Sequence, residues 1–148
     1  MIIFFCIIYY MINKIRDNLY LAGAKDITNI ALAQYDITAI LNVADNVPNV
    51  LAYSKDIKLI KQGFKDDAKA ALKFGQQAID TLKSLLFDGE KIIVHCKQGK
   101  SRSPHVVAMA LSDIEDRDYL EVYDEVCNLH PQTLVYSIGQ EWLDKRMI

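Results

Sequence analysis

A polar stretch at positions 95–103, H-C-K-Q-G-K-S-R-S, constrains the fold of this chain more than any other feature. It follows an apolar run at positions 92–94, which predicts a buried strand, and it precedes an apolar stripe with helical spacing. Cys96 therefore ends a strand, and Arg102 opens a helix. The loop at positions 97–101 is long enough to surround a tetrahedral anion with inward-pointing backbone N–H groups. The stretch predicts a phosphate-binding loop with a nucleophile at its base.

Each residue of this loop has a chemical reason to be there. A helix N-terminus and converging N–H dipoles favour the thiolate of Cys96, which can attack phosphorus and form a cysteinyl-phosphate. Arg102 offers a planar fork of donors that holds two phosphoryl oxygens at once. Gly99 lets the backbone approach the anion without a Cβ in the way. We expect Ser103 to give the departing thiolate a hydrogen bond, and His95 to fix the loop through its ring nitrogens.

A cysteine and an arginine at this spacing also occur by chance, and a cysteine after an apolar strand is usually a buried hydrophobic residue. The preceding histidine, the glycine within the loop and the strand–loop–helix context together favour phosphate chemistry over these alternatives. The residues expected to bind the phosphate are Lys97, Gln98, Gly99, Lys100, Ser101 and Arg102.

The stretch H-C-K-Q-G-K-S-R-S-P resembles the signature of the cysteine-dependent protein tyrosine phosphatase superfamily, and of its dual-specificity branch in particular. Residues 15–23 are similar to the opening strand of that branch, and residues 37–43 to its second strand. The resemblance covers residues 15–143 and implies one α/β domain, in which helices flank a central sheet of about four to five strands. It also implies hydrolysis of phosphomonoesters without a metal or another cofactor. We expect an apolar N-terminal segment at residues 1–14 and the catalytic domain at residues 15–148.

The resemblance also implies a general acid. In that family an aspartate supplies it from a mobile loop that follows a strand upstream of the cysteine, and Asp66 and Asp67 stand in that place. We expect Asp66 to protonate the leaving oxygen and later to activate water, because Asp67 can serve as the carboxylate at a helix N-terminus. Two alternatives stay open: Asp67 is the acid, or both aspartates only start the helix. Asp45 is a more remote candidate.

The rest of the chain alternates strands and helices, as in an α/β protein. The pattern predicts strands at 15–21, 37–43 and 57–60, the last one ended by Gly63, and helices at 26–34, 67–87, 119–130 and 133–144. It predicts a loop at 45–54 and an interhelical turn at His130 and Pro131. The side chains expected on the inner faces of the helices are Ala71, Phe74, Ala78, Leu82 and Leu85, then Val106, Val107, Ala110, Leu111 and Ile114, then Leu120, Tyr123 and Cys127, and finally Ile138 and Trp142.

Charge and composition bear on partners and compartment. The formal net charge of −2 gives no sign of a nucleic-acid partner, and three histidines without a carboxylate cluster predict no metal site. The three cysteines are odd in number and scattered, which suits a reducing compartment, so we expect a cytoplasmic protein. The apolar run at 1–12, which includes Cys6, is too short for a transmembrane span and a poor signal peptide. A packed segment, a weak membrane anchor and a translation start at Met11 all stay open for it.

Two lysines within the loop, Lys97 and Lys100, bear on the substrate. They make the loop similar to those of the superfamily's lipid phosphatases, whereas Ser101 and Ser103 follow the dual-specificity form. Further lysines between positions 55 and 73 suggest a basic rim around the site. Phosphorylated protein is therefore the leading substrate, with a phosphoinositide or phospholipid as the alternative. A non-catalytic phosphate-binding module and a sulfur transferase remain as rivals of other classes, and the sequence does not predict an oligomeric state.

Overall fold

A computed structural model of the chain describes residues 12–133. Its strands are β1 (Asn13–Arg16), β2 (Leu19–Gly23), β3 (Ala39–Ala44), β4 (Lys58–Phe64) and β5 (Ile92–Cys96). Its helices are a short 3-10 helix (Ala24–Asp26), α1 (Asn29–Gln34), α2 (Ala68–Phe87), α3 (Arg102–Glu115) and α4 (Tyr119–Leu129). The apolar run at 1–12 and the helix predicted at 133–144 lie outside the described residues, except for Ile12 and Thr133. Within residues 12–133, no helix is both long and apolar enough to cross a lipid bilayer.

The five strands form one mixed sheet in the order β1-β2-β5-β3-β4. β1 runs antiparallel to β2, and the other neighbours are parallel. The predicted central sheet with flanking helices is therefore confirmed. In the parallel register Gly23 lies beside Cys96, and Asn42 lies beside His95. Because parallel strands end at the same edge, the loops that follow β2, β3 and β5 meet around Cys96.

The sheet is covered on both faces. Along β2, Leu19 and Leu21 belong to one core cluster, whereas Tyr20 and Ala22 belong to the other. The first cluster packs α2, α3 and α4 against the sheet, and the second packs α1 against the opposite face. Strands buried on both faces consist of nearly continuous apolar residues, which is why β3 and β5 lack polar alternation in the sequence.

The beginning of the chain differs from the prediction. Residues 15–21 were expected to form one strand, but Asp17 and Asn18 turn the chain and create the β1–β2 hairpin. Both residue types favour turns, because their side chains hydrogen-bond to nearby backbone groups. The helix expected at 26–34 is also divided: the 3-10 helix ends at Asp26. Thr28 then caps α1, its Oγ1 accepting from the N–H of Ala31 at 3.2 Å.

Gly63 does not end a strand, as the sequence suggested; it lies within β4, which continues to Phe64. A Cβ at position 63 would lie 2.7 Å from the carbonyl carbon and oxygen of Ala44. Glycine is therefore present because β3 and β4 approach each other closely there. The side chain of Phe64 follows into the core with 2% of its surface exposed.

Most residues of the predicted inner helix faces are buried, but one residue on each of three faces lies outside the core. Phe74, Ile114 and Leu120 are 46%, 50% and 46% exposed, although each was expected in the core. On α2 the buried stripe passes through Gly75 instead, because small residues let this helix lie close to the sheet. Cys127 is half-buried at the edge of the core, not within it.

Candidate active site

The loop between β5 and α3 brings Cys96, Arg102 and Ser103 together at the carboxyl edge of the sheet. Cys96 is the last residue of β5 and is 3% exposed. Its Sγ lies 3.3 Å from the Oγ of Ser103, which belongs to the first turn of α3. The thiol is thus at the N-terminus of a helix, where the backbone dipoles stabilise negative charge. Cys96 Sγ therefore has a hydroxyl partner and lies beside the positive end of a helix dipole.

Two backbone carbonyls of the loop are held by groups outside it. The Lys97 carbonyl accepts from the N–H of Ala24, which follows β2, at 3.1 Å. The Gly99 carbonyl lies 2.7 Å from Nε2 of His130, which follows α4. In a trans peptide the N–H points away from the preceding C=O, so each held carbonyl directs the next N–H the opposite way. The N–H groups of Gln98 and Lys100 are therefore turned away from Ala24 and His130, the residues that hold the loop.

Gly99 has a backbone conformation that other residues rarely adopt. Its φ is +72°, and a Cβ there would lie 2.9 Å from backbone atoms of Ala22 and Gly23. Both the left-handed conformation and the close approach to β2 require glycine. The sequence suggested glycine here because the backbone approaches an anion. The structure adds a second reason, which is that the loop packs closely against β2.

Arg102 is buried and oriented by three oxygen atoms. Its Nη1 donates to Oδ1 of Asp45 at 3.2 Å and to Oδ1 of Asn46 at 3.0 Å. It also donates to the carbonyl of Phe64, the last residue of β4, at 3.1 Å. Among residues 12–133, none accepts from its other guanidinium nitrogens, which leaves those donors for an anion.

Asp66 and Asp67 have different positions. Asp67 is the N-cap of α2, and its Oδ1 accepts from the N–H of Ala70 at 2.7 Å. Asp66 lines the cavity above Cys96. Asp45, the third candidate for the acid, forms an ion pair with Arg102. The geometry thus assigns the cap to Asp67 and leaves Asp66 facing the space where a substrate would lie.

The cavity has a volume of about 240 Å³ and is lined by several charged and polar residues. Lys97, Lys100 and Arg102 contribute three cationic groups, and Asp66 contributes one carboxylate. Such a balance favours a dianionic ligand over a neutral one. The lining residues are Asn46, Asp66, Cys96, Lys97, Gln98, Lys100, Ser101 and Arg102.

His95 holds the base of the loop with one ring nitrogen. Its Nδ1 lies 3.0 Å from the Cys96 carbonyl, to which it donates. Burial lowers the pKa of His95, while the hydrogen bond to Cys96 raises it and nearby Lys61 lowers it further. Nε2 has no hydrogen-bond partner within the described part of the chain. The neutral ring therefore has its proton on Nδ1, and only one of the two expected contacts forms.

Three residues contact the loop or its arginine in ways that the sequence did not predict. His130 was interpreted only as a turn residue, Asn46 only as part of a loop, and Asp45 as a candidate acid. The available signal was that Asp45 and Asn46 follow a buried parallel strand, which ends at the same sheet edge as Cys96. No local pattern indicated His130. Among residues 12–133, no three His, Cys, Asp or Glu side chains are grouped closely enough to hold a metal ion.

Comparisons with known proteins agree with this geometry. The sequence profile described as the catalytic domain of dual specificity phosphatases matches residues 19–135. Human dual specificity protein phosphatase 9 is 32% identical over 115 residues, which are 76% of this chain and 30% of that protein. Human dual specificity protein phosphatase 6 has the same identity and coverage. The chain therefore spans about 30% of the length of these curated relatives.

Solved structures share the fold at lower identity. Human DUSP28 has a TM-score of 0.76 and 18% identity, covering 90% of this chain and 90% of that one. A mouse putative dual specificity phosphatase, solved in complex with zinc tungstate, has a TM-score of 0.77 and 19% identity and covers 90% and 84% of the two chains. The human tyrosine phosphatase-like serine/threonine/tyrosine-interacting protein has a TM-score of 0.75 and 17% identity, with coverage of 92% and 95%.

Proposed function

The chain belongs to the dual specificity phosphatases, and we propose that it removes phosphate from tyrosine, serine or threonine side chains of proteins through a cysteinyl-phosphate intermediate. The observation that carries the proposal is the position of Cys96 at the floor of a cavity that also contains Arg102 and Asp66. A nucleophile, a cationic clamp and an acid thus surround one space that a phosphoryl group can enter. A reducing compartment such as the cytoplasm would keep Cys96 available for this chemistry.

In the first half-reaction the Cys96 thiolate attacks phosphorus, so that an S–P bond forms while the bond from phosphorus to the ester oxygen breaks. Asp66, in its protonated form, gives a proton to the departing oxygen. The equatorial oxygens receive hydrogen bonds from the loop amides at 97–102 and from the free guanidinium donors of Arg102. Because Asp45, Asn46 and Phe64 already orient Arg102, little reorganisation accompanies its contact with the phosphoryl group.

In the second half-reaction water attacks phosphorus and the S–P bond breaks. Asp66, now a carboxylate, accepts a proton from the water. The electron pair of the bond returns to Sγ of Cys96, and inorganic phosphate leaves. Ser103 stabilises the thiolate, because its Oγ lies 3.3 Å from Sγ and can donate a hydrogen bond to it.

The first test compares phosphate release from phosphotyrosine peptides, phosphothreonine peptides and short-chain phosphoinositides. We expect release from the peptides by the parent protein and no measurable release by Cys96→Ser. The Cys96→Ser protein should still bind tungstate, since the loop amides and Arg102 remain. Turnover by Cys96→Ser would contradict the covalent mechanism.

A phosphoinositide is the second candidate substrate, because Lys97 and Lys100 both line the cavity. In the same experiment, faster release from the phosphoinositides than from either peptide would favour it. Tungstate binding without release from any substrate would instead favour a phosphate-binding module.

A further inference from the structure

His130 lies immediately after α4 and is completely buried. It is 31 positions away from Gly99 in the sequence, yet its Nε2 is 2.7 Å from the Gly99 carbonyl. Its Nδ1 is 2.7 Å from the side-chain oxygen Oδ1 of Asn13 in β1. The ring therefore connects the middle of the loop to the edge strand of the sheet. It does not line the cavity, so it contacts the loop from the outer side.

The carbonyl that His130 holds is the one that sets the direction of the Lys100 N–H. Gly99 has a φ of +72°. Because it also lacks a side chain, its peptide plane must be held by another residue. A hydrogen bond to the outward carbonyl turns the following N–H toward the anion. The Lys97 carbonyl is held in the same way, but by a backbone N–H. At the middle of the loop, the His130 side chain holds the Gly99 carbonyl as the Ala24 N–H holds the Lys97 carbonyl.

The protonation state of His130 fits this role. Burial lowers its pKa to about 4, although the hydrogen bond to Gly99 opposes the shift. A neutral imidazole has one N–H, and the Gly99 carbonyl can only accept, so the proton belongs on Nε2. Nδ1 then accepts, so Asn13 must donate to it; a half-turn of the amide exchanges Oδ1, which lies beside Nδ1, for the NH₂ group. Asn13 in this orientation selects the tautomer that the loop requires.

We propose that His130 is a positioning residue for the phosphate-binding loop: its Nε2–H holds the Gly99 carbonyl outward so that the Lys100 N–H points at the bound phosphoryl group, and Asn13 fixes the tautomer. This inference rests on the proposed function, because it assigns His130 to the anion site of that reaction. The contact is distant in sequence and absent from the cavity lining, so the residue acts through the loop and not on the substrate.

The test compares two amides of equal polarity. His130→Gln places an amide N–H close to the position of Nε2 and can keep the bond to Gly99, whereas His130→Asn reaches only the position of Nδ1. Both changes are made in the full chain, with and without Cys96→Ser. Tungstate affinity is measured in the Cys96→Ser background, and kcat and KM with an aryl phosphate in the background that retains Cys96.

We expect His130→Asn to weaken tungstate binding about tenfold, and His130→Gln to stay within about threefold of the parent, because only the first loses the held carbonyl. The Lys100 amide resonance should move on tungstate addition in the parent and in His130→Gln, but much less in His130→Asn. Equal tungstate affinities of the two variants, whether both high or both low, would overturn the proposal.

If His130→Asn does not fold, Asn13→Ala replaces it, since this change removes only the partner of Nδ1. We expect a loss of tungstate affinity of about threefold, and unchanged affinity would overturn the assignment. The tungstate measurement does not depend on turnover. A parent protein that binds tungstate without hydrolysing any phosphate ester would refute the proposed function, while the comparison of Gln with Asn would still decide the role of His130.

Discussion

Asp66 and Asp67 are adjacent carboxylates with different surroundings, and their substitution should have separable effects. We expect Asp66→Asn to lower kcat about 100-fold for aryl phosphates with poor leaving groups, and much less for those with good ones, because the proton is needed only by a basic leaving oxygen. Asp67→Ala should leave kcat nearly unchanged and lower the free energy of unfolding by about 1 kcal/mol, since it removes the cap on the Ala70 N–H. A series of aryl phosphates and urea unfolding measure the two effects.

Asp67→Asn is the matched control for this pair of changes, because asparagine is also a good N-cap and should restore stability. If the dependence on the leaving group appears with Asp67→Asn and not with Asp66→Asn, the acid is Asp67. If neither variant shows it, both carboxylates serve only the start of α2.

The two kinds of contact around Cys96 were not equally predictable from sequence. Ser103 follows the cysteine within the same strand–loop–helix unit, so local spacing was enough to predict that its hydroxyl meets the thiol. His130 and Asn46 reach the loop from other elements, and their contacts depend on how α4 and β3 pack. Periodicity and motif spacing carry no information on such packing, because it is decided by the whole set of buried faces.

At the level of elements, Gly63 shows how one atom can disturb the site through a strand pair. We expect Gly63→Ala to lower the free energy of unfolding by about 1–3 kcal/mol, because its Cβ would overlap the Ala44 backbone at 2.7 Å. Relief of the overlap must move the ends of β3 and β4, where Asp45 and the Phe64 carbonyl hold Arg102. The substitution should therefore also lower kcat/KM, which we would measure beside urea unfolding.

Gly75→Ala is the control, since it makes the same substitution in α2. A Cβ there would lie 3.9 Å from Ala71 Cβ and from the ring of Phe64, which is ordinary contact. We expect it to stabilise the protein by up to about 1 kcal/mol without a change in kcat/KM. Equal behaviour of the two variants would mean that the close approach of β3 and β4 is not what requires glycine at position 63.

Element types were predicted more reliably than element ends, and the reason is physical. Apolar runs identified β3 and β5, because a strand covered on both faces needs nearly every residue to be apolar. β4 is an edge strand with only partial burial, so its pattern is weak and its end at Phe64 was missed. The β1–β2 hairpin was missed because two turn residues were interpreted as part of one continuous strand.

At the level of the whole molecule, several of the acidic residues between positions 113 and 125 form ion pairs with arginines of the same chain. This region is therefore not simply an acidic surface. Arg16 in β1 pairs with Glu115 and Glu125, and Arg117 pairs with Glu115, Glu121 and Glu125. The hydrogen bond from Arg16 is the main cause that lowers the pKa of Glu115. These pairs join β1 to α3 and α4.

The three histidines of the chain are all completely buried, and this predicts how stability depends on pH. Burial lowers the pKa of His105 to about 3 and that of His130 to about 4, and it lowers the pKa of His95 as well. In the unfolded chain a histidine titrates near 6.5. As pH falls below about 6.5, the unfolded state takes up protons that the folded state does not, so the free energy of unfolding decreases.

Between pH 6.5 and 4.5 we expect this slope to come mainly from the histidines, each contributing up to about 1.4 kcal/mol per pH unit. Below pH 4.5 carboxylates with lowered pKa, such as Glu90 and Glu115, add to it. Urea unfolding followed by circular dichroism at several pH values measures the slope. His105→Asn should reduce the slope by the contribution of one histidine, up to about 1.4 kcal/mol per pH unit. The asparagine amide, at the position of Nδ1, keeps a partner for the Tyr119 hydroxyl but does not titrate. An unchanged slope in that variant would mean that His105 is protonated within the folded protein, and the core around α3 would then admit a charge despite the complete burial of that ring.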